Sequence, residues 1–181
     1  MRRVMIVGQP GAGKSTLARE IGAIAHLPVI HVDRIHWREG WIERSGAEKD
    51  ALCAEVHARD RWVFEGGHSR TWPERLARAD TLIWLDVAWP WRLWRIVRRT
   101  LRYYGRSRPD LPAGCPERFN ADFLAYVWRT RASARVGLRA LYASVPPGTT
   151  KVHLAGPRAA RRYLGSLGHA AKRGNLGISH R

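Results

Sequence analysis

A phosphate-binding pattern lies near the start of the chain, directly after four apolar residues at positions 4–7. It reads Gly8-Gln9-Pro10-Gly11-Ala12-Gly13-Lys14-Ser15-Thr16. Its glycines let consecutive backbone N–H groups turn toward one anion, Lys14 can reach the β- and γ-phosphates of a nucleotide, and the Ser15 hydroxyl can hold Mg²⁺. Lysine is rare among the 32 basic residues, yet one stands here. The pattern predicts a site for ATP and Mg²⁺.

The elements that must position this loop are a strand before it and a helix after it, where Leu17, Ile21 and Ile24 recur at helical spacing. The phosphates would then lie at a helix N-terminus, where the helix dipole favours negative charge. Further along the chain, short apolar runs predict strands at 28–32, 62–65, 81–86 and 151–154. Amphipathic segments predict helices at 48–60, 91–104 and 121–143.

Strands that alternate with helices indicate a parallel sheet covered on both faces. We therefore predict an α/β fold, a three-layer P-loop NTPase sandwich with a five-stranded parallel sheet. Residues 1–171 are expected to form one domain with an Arg-rich lid at about 95–135, which includes a Pro- and Gly-rich excursion at 105–119. The last residues, 172–181, lack periodicity and are expected to form a disordered tail.

Three acidic residues end predicted strands, at the sheet edge where ligands of such folds bind. Asp33 is a candidate to bind a water on Mg²⁺, to orient an acceptor hydroxyl or to act as a base, and a helix-capping Asp is the alternative. Glu65 precedes Gly66 and Gly67, which let a substrate approach the backbone closely, and a solvated acid beside turn glycines is the alternative. Asp86 is a candidate outer-shell ligand of Mg²⁺, and a helix cap is equally compatible with its position.

Phosphoryl transfer needs positive charge around the transferred group, so arginines are the next candidates. One predicted helix places Arg95, Arg98, Arg99 and Arg102 on one face, opposite an apolar face that includes Leu93 and Leu101. The later helix aligns Arg131, Arg135 and Arg139 at intervals of four residues. No acidic residue lies between Asp86 and Asp110, so local ion-pair partners are not expected. A solvated basic face is the alternative for each helix.

Other residue types complete the site or the core. After the last predicted strand, Pro157 and Arg158 are suited to lie against a nucleotide base, with the guanidinium stacked on its face.

Among the tryptophans, Trp62 and Trp84 stand in strand patterns and are predicted to lie in the core, with part of the cluster at 89–94. Cys53 and Cys115 have no spacing that suggests zinc or disulfides, so free thiols in a reducing compartment are expected.

The charge balance predicts a polyanionic ligand. The formal net charge is +17, the isoelectric point is near 11.4, and residues 123–181 contain no Asp or Glu. Nucleic acid is therefore a possible partner beside the nucleotide. No apolar run reaches membrane-spanning length, so we expect no membrane association and a cytoplasmic protein, as a monomer or homodimer.

Several segments together resemble bacterial P-loop proteins labelled DNA topology modulation (FlaR-like) proteins, which are similar to adenylate kinase and other small-molecule kinases. The resemblance rests on Gly8–Thr16, on His31-Val32-Asp33 with Trp37 and Gly40-Trp41, on 65–71, on 108–119 and on Pro157-Arg158. It implies a nucleoside-monophosphate-kinase-like fold with an acceptor region and an Arg-bearing lid. It also implies that Lys14 and Ser15 serve ATP and Mg²⁺, and that Pro157 lies at the adenine edge.

The function that these observations favour is an ATP-dependent phosphotransferase with an unidentified small-molecule or nucleotide acceptor. In this hypothesis Asp33 or Glu65 orients the acceptor. The cations expected around the γ-phosphate are Lys14, Arg95, Arg99, Arg131 and Arg135. An ATP-binding, DNA-interacting regulator is the alternative, and a polynucleotide 5′-kinase would combine the two.

Overall fold

The computed structural model describes residues 1–174 of the chain. Its strands are β1 (Arg3–Val7), β2 (Val29–His31), β3 (Trp37–Arg38), β4 (Ile42–Glu43), β5 (Trp62–Glu65), β6 (Thr81–Asp86) and β7 (Thr150–Ala155). Its helices are α1 (Lys14–Ala25), α2 (Val32–His36), α3 (Gly46–Ala58), α4 (Trp72–Arg78), α5 (Trp89–Tyr103), α6 (Ala121–Arg129), α7 (Ser133–Ala143) and α8 (Pro157–Lys172). The predicted tail begins inside α8, and residues 175–181 lie outside the described part of the chain.

Five strands form one parallel sheet in the order β2-β5-β1-β6-β7. The short strands β3 and β4 form a separate antiparallel hairpin. Because β1 is central, its carboxyl end opens between β5 on one side and β6 on the other. This confirms the predicted α/β fold with a five-stranded parallel sheet, and it brings the ends of β1, β2, β5 and β6 to one edge.

The core lies on both faces of the sheet because side chains alternate along β1. Val4 and Ile6 pack with residues of α1 and α8 on one face. Met5 and Val7 pack with residues of α3, α4 and α7 on the other. Trp62 and Trp84 are buried in this second cluster, as predicted. The helix layers on both faces hold the strand ends in fixed relative positions.

The single helix predicted at 121–143 is wrong, because residues 130–132 interrupt it between α6 and α7. The Arg131 carbonyl accepts a hydrogen bond from the Gln9 side-chain amide at 2.8 Å. That carbonyl is therefore engaged by the phosphate loop at the point where the helix breaks. Arg131 consequently does not share the face predicted for it with Arg135 and Arg139. Its guanidinium stacks on Trp128, 3.7 Å from the ring centroid.

Helix α5 also differs from its prediction, because the apolar face is not the buried one. Its buried positions are Arg92, Ile96 and Thr100, whereas Leu101 is 63 % exposed. The cause is the neighbouring phosphate loop, whose Pro10 carbonyl accepts a hydrogen bond from Arg92 at 3.3 Å. The helix thus turns a partly polar face inward and leaves large apolar side chains in solvent.

Candidate functional site

The phosphate-binding pattern forms the loop between β1 and α1. Gly11 and Gly13 have φ angles of +78° and +101°, a left-handed conformation that favours glycine. A Cβ atom on Gly11 would lie 2.5 Å from the Arg92 carbonyl oxygen, so no side chain fits while α5 stays in place. The loop therefore packs closely against α5. The end of the loop that leads into α1 lies at the edge of the sheet.

Lys14 and Ser15 are the first two residues of α1 and are half-buried. The Lys14 ammonium donates to the Gln9 carbonyl at 3.3 Å, across the loop. In the described part of the chain no carboxylate lies within salt-bridge distance of it. A lysine that is partly shielded from water and lacks an anionic partner is suited to receive an anion.

Two carboxylates converge beside the loop from the ends of β2 and β5. Glu65 is buried at the end of β5, with its Oε1 2.6 Å from His31 Nδ1. Asp33 lies in the first turn of α2, and burial, assisted by the Glu65 charge, raises its pKa above the ordinary range. Lys14 and Arg108 act in the opposite direction on the same carboxyl. The carboxylates, the lysine and the arginine therefore interact as one electrostatic cluster.

Asp86 ends β6 and is engaged by protein groups. Arg135 Nη2 donates to its Oδ2 at 2.8 Å, and His153 Nε2 lies 3.4 Å from the same oxygen. Burial opposes ionisation, but the hydrogen bonds from Arg135 hold the pKa of Asp86 below its usual value. The structure thus joins two predicted site residues, Asp86 and Arg135, to each other. This pairing was not predicted, because the two residues are 49 positions apart in the sequence.

The arginines of α5 divide into separate groups. Arg92 and Arg95 face the phosphate loop, and Arg95 Nη1 donates to the Ala12 carbonyl at 2.7 Å. Burial, with the nearby charges of Arg161 and Arg98, lowers the pKa of Arg95. Neither Arg92 nor Arg161 was among the residues predicted for the site. The second was detectable in principle, because it lies one helical turn after Pro157 at the start of α8.

Residues 104–120, named here the lid segment, cross the sheet edge and carry a buried ion cluster. Arg108 Nη1 donates to Asp110 at 2.7 Å, and its Nε lies 2.6 Å from Glu117. Arg99, expected to lack a partner, lies 3.2 Å from Glu117 through Nη2. Arg108 is the buried arginine of this segment, whereas Arg106 and Arg118 are exposed. The lid segment therefore places the guanidinium group of Arg108 near Asp33.

The lid segment rests on the β3–β4 hairpin. The Gly40 amide donates to the Gly114 carbonyl at 3.1 Å. The Trp41 indole donates to the Pro116 carbonyl at 3.0 Å, and the Trp41 amide lies 3.4 Å from Cys115 Sγ. Both cysteines of the chain are buried and free, as predicted. These contacts join the lid segment to the hairpin at three consecutive residues, 114–116.

The loop after β5 contains two residues with positive φ angles, Gly66 and His68. Gly66 has a φ of +121°, and a Cβ atom there would lie 2.8 Å from Val32 Cβ. His68, also left-handed, places Nε2 2.7 Å from Asp50 Oδ1, and Arg70 donates to Asp50 at 2.9 Å. Arg75 is fully buried and donates to the Gly66 carbonyl at 3.3 Å. Arg70 and Arg75 are thus both engaged within the protein.

The predicted base-binding residues open α8. Gly156 precedes them with a φ of +91°, and Pro157 occupies the first helical position, where its missing N–H is not needed. Arg158 follows in the first turn.

Among residues 1–174, no group of three or more His, Cys, Asp or Glu side chains has the arrangement of a metal site. No helix in that range is both long enough and apolar enough to cross a membrane.

No family model and no curated protein matches the sequence. The resemblance to DNA topology modulation proteins therefore stays a prediction. Solved structures do match. Shikimate kinase from Acinetobacter baumannii in complex with shikimate is similar with a TM-score of 0.56 and 18 % identity, over 97 % of this chain and 94 % of that one.

Shikimate kinase from Bacteroides thetaiotaomicron has a TM-score of 0.52 and 19 % identity, over 94 % of this chain and 98 % of that one. A gluconokinase from Sinorhizobium meliloti 1021 has a TM-score of 0.49 and 17 % identity, over 98 % and 97 %. At such identities the likeness concerns architecture. The chain has the three-layer α/β fold of P-loop small-molecule kinases.

Proposed function

We propose that the chain is an ATP-dependent phosphotransferase that moves the γ-phosphate to a hydroxyl group of a small-molecule acceptor. The observation that carries the proposal is the cluster of Asp33, Glu65 and Lys14 beside a glycine loop that only an unsubstituted backbone can form. A base, a cation and an anion-binding loop in one place are the components that phosphoryl transfer requires.

The donor side is the loop 8–16 with the start of α8. Backbone amides of the loop and the Lys14 ammonium would bind the phosphates, while Pro157 and Arg158 would lie against the base. The Ser15 hydroxyl is an oxygen donor of the kind that Mg²⁺ prefers, and phosphate oxygens and water would supply the remaining ligands of the ion. Bound there, Mg²⁺ would neutralise charge on the β- and γ-phosphates.

Asp33 is assigned to the acceptor. Its raised pKa makes it a stronger base than a solvated aspartate, so it is suited to accept a hydrogen bond from a hydroxyl group and then its proton. The acceptor oxygen forms a bond to the γ-phosphorus, the bond to the β–γ bridging oxygen breaks, and Asp33 takes up the hydroxyl proton. Burial contributes most to this proton affinity, and the charge of Glu65, whose Oε1 lies 2.6 Å from His31 Nδ1, raises it further.

Positive charge around the transferred group would come first from Arg95, whose guanidinium is already bound to the Ala12 carbonyl of the phosphate loop. Arg99, Arg108 and Arg135 are paired with carboxylates. Arg131 stacks on Trp128. These four arginines would reach a phosphate only after the lid segment and the break between α6 and α7 move. The lid segment would also exclude water and so favour the acceptor over hydrolysis.

The test is ADP production from ATP and Mg²⁺ with a panel of nucleotides, nucleosides, sugar acids and shikimate. Shikimate enters the panel because the similar structures include a shikimate kinase with shikimate bound. Lys14→Met and Asp33→Asn are expected to lower kcat by at least about 100-fold, since this chemistry is mostly electrostatic. Lys172→Met and Asp60→Asn, which change exposed residues outside the site, should leave kcat unchanged.

Two results would overturn the proposal. If acceptor-dependent turnover persists in Lys14→Met, the loop 8–16 is not the site that binds the donor ATP. Tight ATP binding by the wild-type chain with no acceptor-dependent turnover across the panel, and no loss of ATP hydrolysis in Asp33→Asn, would favour a nucleotide-binding regulator instead.

A further inference from the structure

The outward face of α5 carries a stripe of aromatic and basic side chains that the proposed site does not use. We define this α5 stripe as Trp91, Trp94, Arg98, Leu101 and Arg102. Spacings of three and four residues place them on one side of the helix. Trp91 is 58 % exposed and Trp94 50 %, which is unusual for so large an apolar side chain. The opposite side of the helix is occupied by the phosphate loop.

The stripe combines two indole rings with two guanidinium groups. The Arg98 guanidinium lies 5.2 Å from the Trp94 ring centroid, and the Trp91 and Trp94 rings meet edge to face at 6.1 Å. Near the end of the stripe, Tyr104 and Phe119 form a further exposed ring pair, 6.4 Å apart. The interval from residue 91 to residue 104 corresponds to roughly 20 Å of helix. Two stacking surfaces therefore lie on the helix, and a further ring pair lies beyond its end.

The stripe also lacks compensating negative charge. Residues 87–109 contain no Asp or Glu. Within the described residues, neither Arg98 nor Arg102 lies within salt-bridge distance of a carboxylate, whereas the inward Arg99 is paired with Glu117. Like charges in adjacent helical turns repel each other unless an anion lies between them. An anionic ligand on this face would relieve that repulsion.

We propose that the α5 stripe binds single-stranded nucleic acid, with unpaired bases stacked on the tryptophans and phosphates bound by Arg98 and Arg102. Exposed rings interleaved with cations are the features that bind a strand without reading its sequence. An anionic membrane surface is the less favoured ligand, because Arg98 and Arg102 interrupt the apolar stripe instead of flanking it. The proposal is independent of the phosphotransferase assignment.

The experiment measures the fluorescence anisotropy of a labelled oligothymidine of about 20 nucleotides, titrated with the full chain at about 50 mM salt. Trp91→Ala/Trp94→Ala is expected to weaken binding at least tenfold, since stacking on each ring contributes separately. Arg98→Gln/Arg102→Gln should weaken binding and lower the salt slope by about 1.4, the value for two single-strand contacts. Unchanged far-UV circular dichroism and melting temperature establish that each variant is folded.

The matched control is Arg139→Gln/Arg162→Gln, which removes the same charge from exposed positions on α7 and α8. It should retain most of the affinity. Equal losses in both arginine pairs would mean diffuse attraction of a cationic protein, and the proposal would fall. It would also fall if the tryptophan variant bound normally, or if the stripe bound vesicles of phosphatidylserine and phosphatidylcholine but not the oligonucleotide.

Discussion

Replacing Glu117 by Gln should loosen the lid segment selectively. Glu117 is 5 % exposed and contacts three donors: the Thr100 hydroxyl at 3.0 Å, Arg99 at 3.2 Å and Arg108 at 2.6 Å. The substitution keeps the size of the side chain but removes the charge that two guanidinium groups share. Arg108 retains Asp110, so Arg99 is the cation left without a partner.

The magnitude follows from that geometry. Removing one partner of a fully buried ion pair costs about 3–5 kcal/mol. The Arg99 side chain is 28 % exposed, so solvent compensates part of this loss, and we expect about 2–3 kcal/mol. If the loss falls on the closed lid segment, its opening equilibrium should rise roughly 30- to 150-fold.

Hydrogen exchange measured by mass spectrometry on peptides covering 104–120 is the direct assay. Backbone bonds from Gly105 N–H to the Glu117 carbonyl and from Glu117 N–H to the Arg106 carbonyl, both 3.0 Å, close the neck of the segment and report its opening. The matched control is Glu74→Gln, whose side chain is 70 % exposed and should change exchange little. Unchanged exchange at 104–120 in folded Glu117→Gln would refute the reasoning.

Three further predictions concern stability. Burial lowers the pKa of His57 to about 4, so this imidazole is protonated more readily in the unfolded chain than in the folded one. The free energy of unfolding should therefore fall by up to about 3 kcal/mol as the pH falls from 6.5 to 4. His57→Gln should flatten this pH dependence, measured by urea titration. Gly11→Ala should lower the free energy of unfolding by at least about 2 kcal/mol, because the methyl group would clash with the Arg92 carbonyl and the backbone is left-handed. Gly168→Ala, which places a methyl group in open space on α8, should be neutral or slightly stabilising. Thermal unfolding measures both effects. The pKa of Asp33 is raised, so its charge opposes folding at neutral pH; Asp33→Asn should therefore be more stable than the wild type at pH 7, with the difference shrinking on acidification.

The sheet and the donor side of the site are predictable because their signals are local. Strand β5 was expected at 62–65 and β6 at 81–86, and both occur at those positions, since short apolar runs in a covered parallel sheet contrast strongly with their flanks. The phosphate loop is equally local, since its glycines, Lys14 and Ser15 are contiguous. The rule that parallel strands end at one edge then brings Asp33 and Glu65 to the loop.

The partners of the charged residues were not predictable because they depend on distant contacts. The pairing of Asp86 with Arg135 spans 49 positions, and the bond from Gln9 to Arg131 spans 122. Nothing in the local pattern of 121–143 indicates that a carbonyl within it would be engaged by the phosphate loop. The inward face of α5 was misjudged for the same reason, since Arg92 is buried by a loop that lies 82 positions earlier.

The bond between Gly40 and Gly114 joins the β3–β4 hairpin to the lid segment. Neither segment can move away from the sheet without breaking that contact or carrying the other segment with it. Under the proposed function, a ligand that holds one of the two segments in place would therefore also restrain the other. The affinities of two ligands, each contacting one segment, would then be coupled, and the coupling would act in both directions.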